Sequence, residues 1–361
     1  MGEFRIVMEE TDYGSAIFAD QTDKKFDTQL LRNSMKKKLM TEITYLISQS
    51  SYPLNEFLTR MLHRYQLENV VYVIEALKKN RGTIEEIMRL SDPLGDFPEL
   101  KNVQPVDGED YASLYQQVLI DLPIGNYFRK FLDELIASAS ADDHVVLDTK
   151  FVSEVMRDKE PQEIKHHLQK IWLQDFYKFC STELGETSQT IMKDLLRFES
   201  DFQTMQIVEN YAQISKADGA MAQSERKKYI SKIGYLYPER YEMLNSANDF
   251  KGLQAAVVGT QYEDMLSRVR AVGAESEVES RGKGLDEVTN EELTRKFSIA
   301  FEQQFHYGCF YAFVKLKEQE IKNVTWLADL VIMQQPRNLP GWNKVIVPFM
   351  YHADDEIDLN Q

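Results

Sequence analysis

The sequence predicts an all-α protein of three pseudo-threefold-related helical domains that together form a funnel. Three observations carry that expectation. Apolar residues recur at helical spacing over long stretches, strand-like alternation is scarce, and three separated segments superpose on one another in the same order.

The amphipathic stretches run over 29–48, 54–79, 162–180, 187–212 and 290–333, with apolar positions three and four residues apart. Val345-Ile346-Val347 is the one short strand candidate. Breakers fall at 91–95, 102–108, around Tyr237-Pro238 and at 335–341, and the Gly-, Ser- and Glu-rich run 273–287 reads as an exposed loop.

The internal similarity is specific about order. YQLENVVYVIEAL from Tyr65, SDFQTMQIVENYA from Ser200 and QEIKNVTWLADLV from Gln319 can be overlaid. Leu67, Phe202 and Ile321 then coincide, as do Asn69, Thr204 and Asn323, then Val70, Met205 and Val324, and three residues on Val73, Val208 and Leu327. A second set precedes each of these: EFRIVMEETDYGSAIF from Glu3, DYASLYQQVLIDLPIGNYF from Asp110 and DFKGLQAAVVGTQYEDML from Asp249. A third element, over 87–93 and 233–238, ends in Leu-x-x-Pro or Leu-x-Pro. Recurrence at intervals of roughly 120 residues places units at 1–105, 106–245 and 246–361, the first short at its N-terminus and the last ending in an acidic tail. Three such units about an approximate threefold axis enclose a funnel or cup.

Composition narrows the function. Apolar residues make up 43% and aromatic residues 11%, enough to build sizeable cores. Lys+Arg 42 against Asp+Glu 58 gives a net charge of −16, which argues against a nucleic-acid ligand and against adsorption to an anionic leaflet. The basic run Met35-Lys36-Lys37-Lys38 reads as the solvated face of a helix. No apolar run approaches the ~20 residues that span a bilayer. The N-terminus has neither a basic nor an apolar signal-peptide region, and Ile6 stands where a myristoylation site needs Ser or Thr. Cys180 and Cys309 suit buried thiols in a reducing compartment. Asn323-Val324-Thr325 fits a glycosylation acceptor only on paper, because it lies inside a helical stretch.

Catalytic signatures are missing: no Walker A loop, dinucleotide glycine fingerprint, HExxH, CxxC pair or GxSxG elbow occurs, and no cofactor is implied. His166 and His167 diverge by about 100° on a helix, so they do not face one metal, and a solvent-facing or capping role fits them. Asp354-Asp355-Glu356-Ile357-Asp358 spells the DDxxD box of isoprenoid synthases. It sits in a polar tail without a helical apolar pattern and reads as a solvated acidic tail.

The segment FHYGCFYAFVKLKEQEIKNVTWLADLV, 305–331, reads as one helix with an aromatic half and a charged half. Glu318 with Lys322 and Lys317 with Glu320 form local pairs that stabilise a solvated face by about 0.2–0.5 kcal/mol each. Phe305, Phe310, Tyr311 and Phe313 cannot all point one way, so that half is buried among neighbours or lines an interface.

These residues, 304–320 with Asn323 and Trp326-Leu327-Ala328, closely resemble the subunit d family of vacuolar-type proton-translocating ATPases, which is related to its counterpart in archaeal-type rotary ATPases. Thr11-Asp12-Tyr13-Gly14, Val118-Leu119-Ile120-Asp121-Leu122-Pro123, Asp175-Phe176-Tyr177-Lys178-Phe179-Cys180, Phe198-Glu199-Ser200-Asp201 and Leu236-Tyr237-Pro238 fit the same family, so the resemblance runs from about residue 10 to 335. The resemblance implies a non-catalytic adaptor of the central stalk on the cytosolic face of vacuolar, lysosomal or other endomembranes. Its implied partners are the proteolipid c-ring, stalk subunits D and F, and the N-terminal region of subunit a. Phe305, Phe310, Phe313, Lys317, Glu318 and Glu320 become the candidate partner interface. The family carries a longer segment ahead of its T-D-Y-G motif than the ten residues before Thr11, and 336–342 and 350–361 depart from its usual ending. A stand-alone helical scaffold for vesicle or organelle assembly is the competing reading, with an isoprenoid-type enzyme, resting on DDxxD alone, behind it.

Overall fold

The computed structural model describes residues 2–18, 27–79, 83–102, 122–138, 149–214, 226–269, 283–333 and 346–347. Among them there is no strand, only an isolated bridge between Val269 and Lys283, so the all-α expectation holds. Ile346 and Val347 are irregular; Val345, the tail DDxxD and Val118–Asp121 of the family-like motif lie outside the described residues. No helix among the described residues is long and apolar enough to cross a membrane. The chain divides into two compact units, 46–179 and 1–45 with 180–361.

In the first of these units, α4 (Leu54–Lys78), α6 (Gly125–Ser138) and α8 (Pro161–Thr182) supply the core; α5 (Ile84–Leu90) and α7 (Thr149–Asp158) are shorter. Helical spacing on α8 buries Ile164, Leu168, Trp172 and Phe176 on one face. Trp172 stacks on Phe176 at 5.4 Å, Phe57 meets Phe176 at 5.3 Å, and the Trp172 indole donates to the Arg60 carbonyl at 2.8 Å. Asp175 accepts from Tyr127 at 3.2 Å and from Arg60, and His63 Nδ1 lies 3.0 Å from the Tyr127 hydroxyl. Burial, assisted by the Arg60 charge, pushes the His63 imidazole down to about 4.

After α4 the chain returns through α5, which starts in a Thr83–Glu86 capping box, to a 3₁₀ turn at Pro93–Gly95. Here the repeated asparagine acquires a physical role. Asn69 Nδ2 donates to the Asp92 carbonyl at 2.8 Å and Asn69 Oδ1 accepts the Asp92 N–H at 2.9 Å. The turn approaches α4 so closely that a Cβ on Gly95 would collide with the Tyr65 carbonyl.

The other unit contains α1 (Gly2–Glu9), α2 (Gly14–Phe18), the start of α3 (Thr28–Gln49), α9 (Glu186–Ile214), α10 (Tyr241–Ser246), α11 (Phe250–Val257), α12 (Glu263–Ser267), α13 (Leu285–Gln303) and α14 (Gly308–Ile332). Leu31, Met35, Leu39 and Ile43 recur every four residues on α3 and are all buried. A core of Phe198, Phe202 and Met205 from α9 closes on Leu253, Tyr262, Leu266 and Val288. Asp201 ties this core to the chain before Pro238, accepting from Tyr262 Oη at 2.6 Å, Tyr235 N–H at 2.7 Å and Leu236 N–H at 3.2 Å. Burial raises the Asp201 carboxyl to about 6 against the pull of these donors. On α14, Asn323 repeats the Asn69 pattern: Nδ2 donates to the Val347 carbonyl at 2.8 Å and Oδ1 accepts the Val347 N–H at 3.2 Å.

The overlaid positions share burial in large part. Leu67, Phe202 and Ile321 are buried, as are Asn69, Thr204 and Asn323; Val324 and Leu327 are half-buried where their counterparts are fully so.

Four expectations are corrected. The stretch 290–333 is two helices, because Gln304 and Phe305 take positive φ values of 52° and 53° and break the ladder. The basic run is not a solvated face: Met35 is buried, Lys36 is 6% exposed, and only Lys37 faces solvent. His167 is buried, with its Nε2 2.7 Å from Glu134 and its ring edge-on to Phe131 at 5.0 Å, rather than solvent-facing. Both cysteines are thiols, but Cys309 is only half-buried.

Replacing Asn69 by Leu removes the two side-chain bonds to the Asp92 N–H and carbonyl and is expected to cost about 1–3 kcal/mol in urea unfolding. For His63, the fold holds the imidazole neutral down to about pH 4, whereas its ordinary value is 6.5. The unfolded chain therefore binds more protons between these limits, and stability falls as pH drops from 6.5 towards 4. His63→Gln is expected to flatten that part of a stability–pH profile.

Candidate functional site

The family-like segment is built around an elbow. α13 ends at Gln303, Gln304 and Phe305 turn with positive φ, and α14 begins at Gly308. The Tyr307 N–H donates to Ser188 Oγ at 3.0 Å, which ties the turn to α9. His306 is buried beneath it, and burial lowers its pKa. Phe305, by contrast, is 98% exposed.

Beside the elbow lies an open groove of about 430 Å³ between α13 and α14. Phe301, Phe313 and Leu316 form its apolar floor; Ser298, Glu302, Gln304, Lys317 and Glu320 form its rim. The Phe301 and Phe313 ring planes are inclined by 29°, with centroids 6.5 Å apart. The α14 contribution is one stripe, since 313, 316, 317 and 320 follow i, i+3, i+4 and i+7. The structure therefore brings Phe313, Lys317 and Glu320 together and leaves Phe305 at the edge. Phe310 is half-buried, and Glu318 lies off the stripe, 3.7 Å from Lys315.

A charged network behind the rim joins three distant parts of the chain. Lys317 lies 2.8 Å from Glu320 and 3.9 Å from Asp12, while Lys38 of α3 reaches Asp12 at 2.8 Å and Glu42 at 2.5 Å. The Tyr13 hydroxyl donates to Glu320 Oε2 at 2.9 Å, and the Lys317 and Lys38 ammonium groups lie 4.9 and 5.2 Å from the Tyr13 ring centroid. The hydrogen bond from Lys38 holds the Asp12 carboxyl below its ordinary range. Burial opposes charge on Lys38, yet its bonds to Asp12 and Glu42 raise it. Burial, then the Glu320 charge, pushes the Tyr13 phenol far above its usual value. Thus Asp12, Tyr13, Lys38 and Glu42 complete the site. The T-D-Y-G motif and the Lys38–Glu42 i,i+4 spacing were visible signals, but neither names a partner in α14.

This arrangement holds elements together rather than attacking a substrate. Among the described residues, no group of three or more His, Cys, Asp or Glu is placed to hold a metal ion.

The family model described as ATP synthase (C/AC39) subunit matches residues 1–339. The chain is 28% identical over 336 residues to the V-type proton ATPase subunit d1 of Arabidopsis thaliana, covering 93% of this chain and 85% of the relative. It is 30% identical over 333 residues to the V-type proton ATPase subunit d of Neurospora crassa, covering 89% and 84%. The Saccharomyces cerevisiae V-type proton ATPase subunit d is 28% identical over 344 residues, covering 95% and 88%.

The part-buried Tyr13–Glu320 bond is measurable by a double-mutant cycle. Tyr13→Phe and Glu320→Gln are expected to show a coupling of about 1–2 kcal/mol in chemical denaturation, against near additivity if the contact contributes nothing.

Proposed function

The chain belongs to the ATP synthase (C/AC39) subunit family, and we propose that it is the non-catalytic subunit d of a V-type proton ATPase, working as the adaptor of the central stalk. In this reading it is a peripheral protein on the cytosolic face of the proteolipid ring in vacuolar, lysosomal or other endomembranes. Three helical units, 1–105, 106–245 and 246–361, form a funnel that receives stalk subunits D and F, and the N-terminal region of subunit a is a further contact. The subunit then transmits torque between ATP hydrolysis and proton movement.

The extent of the similarity, which runs through nearly the whole chain, carries this reading. Physical features agree with it. Two segments that resemble the family, Thr11–Gly14 and the charged run of α14, are bonded to one another through Tyr13 and Glu320. Long helices such as α4, α9 and α14, at 25, 29 and 25 residues, suit a part that must pass on force without bending. A net charge of −16 gives an anionic leaflet no attraction, so attachment at a membrane falls to protein partners.

Affinity purification of the tagged full chain from detergent-solubilised membranes, followed by mass spectrometry, tests the proposal. Proteolipid, subunit a, D and F in stoichiometric yield are expected. Recovery of the chain alone, or with partners that include no proteolipid, overturns the adaptor role and favours a stand-alone scaffold.

A further inference from the structure

The elbow leaves apolar surface uncovered where the chain had ordinary means to hide it. Phe301, which lines the α13–α14 groove, is 46% exposed, and Phe305, next to the lining residue Gln304, is 98% exposed. Single exposed apolar residues are common, but an exposed phenylalanine on an apolar-floored groove, with a second fully exposed one at the adjoining turn, marks an interaction surface. The backbone supports the same conclusion. Gln304 and Phe305 take positive φ in succession, a costly conformation for residues other than glycine, and the Phe305 ring recovers nothing from burial in this chain.

Charge defines the occupant. Lys317, the cation of the groove, is already engaged by Glu320 and Asp12. Glu302 is exposed on the rim, and among the described residues no cation pairs with it. The charged residues that line the groove are the carboxylates Glu302 and Glu320 and the ammonium group of Lys317, which Glu320 already pairs, so the rim is net negative at Glu302. An anionic membrane or a nucleic acid is repelled there. The groove lies between two helix ridges, and no strand among the described residues offers an edge for β-augmentation, so the available mode is a helix laid in a groove.

The geometry points to this groove as the docking site for an amphipathic α-helix of a partner protein that carries Lys or Arg beside its apolar face. Apolar side chains of that helix cover Phe301, Phe313 and Leu316, its basic residue faces Glu302, and Phe305 projects as an anchor into the partner. The inference rests on the reading of this protein as a docking subunit and specifies the chemistry of one contact.

The test places p-benzoylphenylalanine at position 305 of the full chain, isolates the assembly it forms, irradiates it and sequences the cross-linked peptide. An adduct is expected with a helical segment bearing Lys or Arg within one turn of the linked apolar residue. Glu302→Lys is expected to lower the adduct yield about fivefold, and exchanging the partner's basic residue for Glu to restore it. Phe301→Ser is expected to lower the yield about tenfold, with unchanged circular dichroism showing that the fold persists. An intact pump that copurifies but gives no adduct overturns the groove and leaves the proposed function standing, as does an adduct on a segment without a basic residue or a yield indifferent to Glu302→Lys. The expected adduct on a protein unrelated to the pump supports the groove and overturns the proposed function.

Discussion

Peptide groups between helices must find partners when buried, and here side chains of the long helices supply them. A side-chain amide offers one donor and one acceptor, which matches the N–H and carbonyl of a single residue. Asn69 meets Asp92 in this way and Asn323 meets Val347. A carboxylate only accepts, and Asp201 is used where two N–H groups, of Tyr235 and Leu236, and the Tyr262 hydroxyl converge. Each bond contributes modestly, about 0.5–1.5 kcal/mol net, whereas an unmet buried group costs about 1–3 kcal/mol. The constraint therefore acts mainly by excluding alternative paths for the chain.

With those returns fixed, the fold can tolerate the remaining polar burial. Tyr13 is buried with its hydroxyl on Glu320, and Lys38 and Lys317 approach its ring from separate helices. The long side chains lie along apolar surface while their ammonium groups reach carboxylates. The same network neutralises Lys317, which leaves Glu302 to set the sign of the rim above a floor of Phe301, Phe313 and Leu316.

The site binds parts of the chain together and leaves a groove open beside them. Tyr13, Lys38, Lys317 and Glu320 are engaged with one another, while Phe301 keeps much of its surface exposed. Phe313 and Leu316 share a stripe with Lys317 and Glu320, so one face of α14 both fastens the N-terminal motif and floors the groove.

By itself the sequence determined the helical class, the recurring order of segments and the family-like motifs, because helix periodicity and apolar spacing are local properties. Asn69 and Asn323 fell at equivalent positions before any partner was visible. The partners, however, come from residues 23 and 24 positions further on, at Asp92 and Val347. Only the tertiary structure decided that 290–333 would break at Gln304 and Phe305, since the Tyr307 anchor on Ser188 spans 119 residues of chain. It also decided that Lys36 and His167 would be buried, and that Phe305 would stand in solvent while Tyr311 bonds Glu199 beneath the surface. Local pattern sets which residues share a face of a helix; whether that face meets protein or water depends on segments far away in the chain.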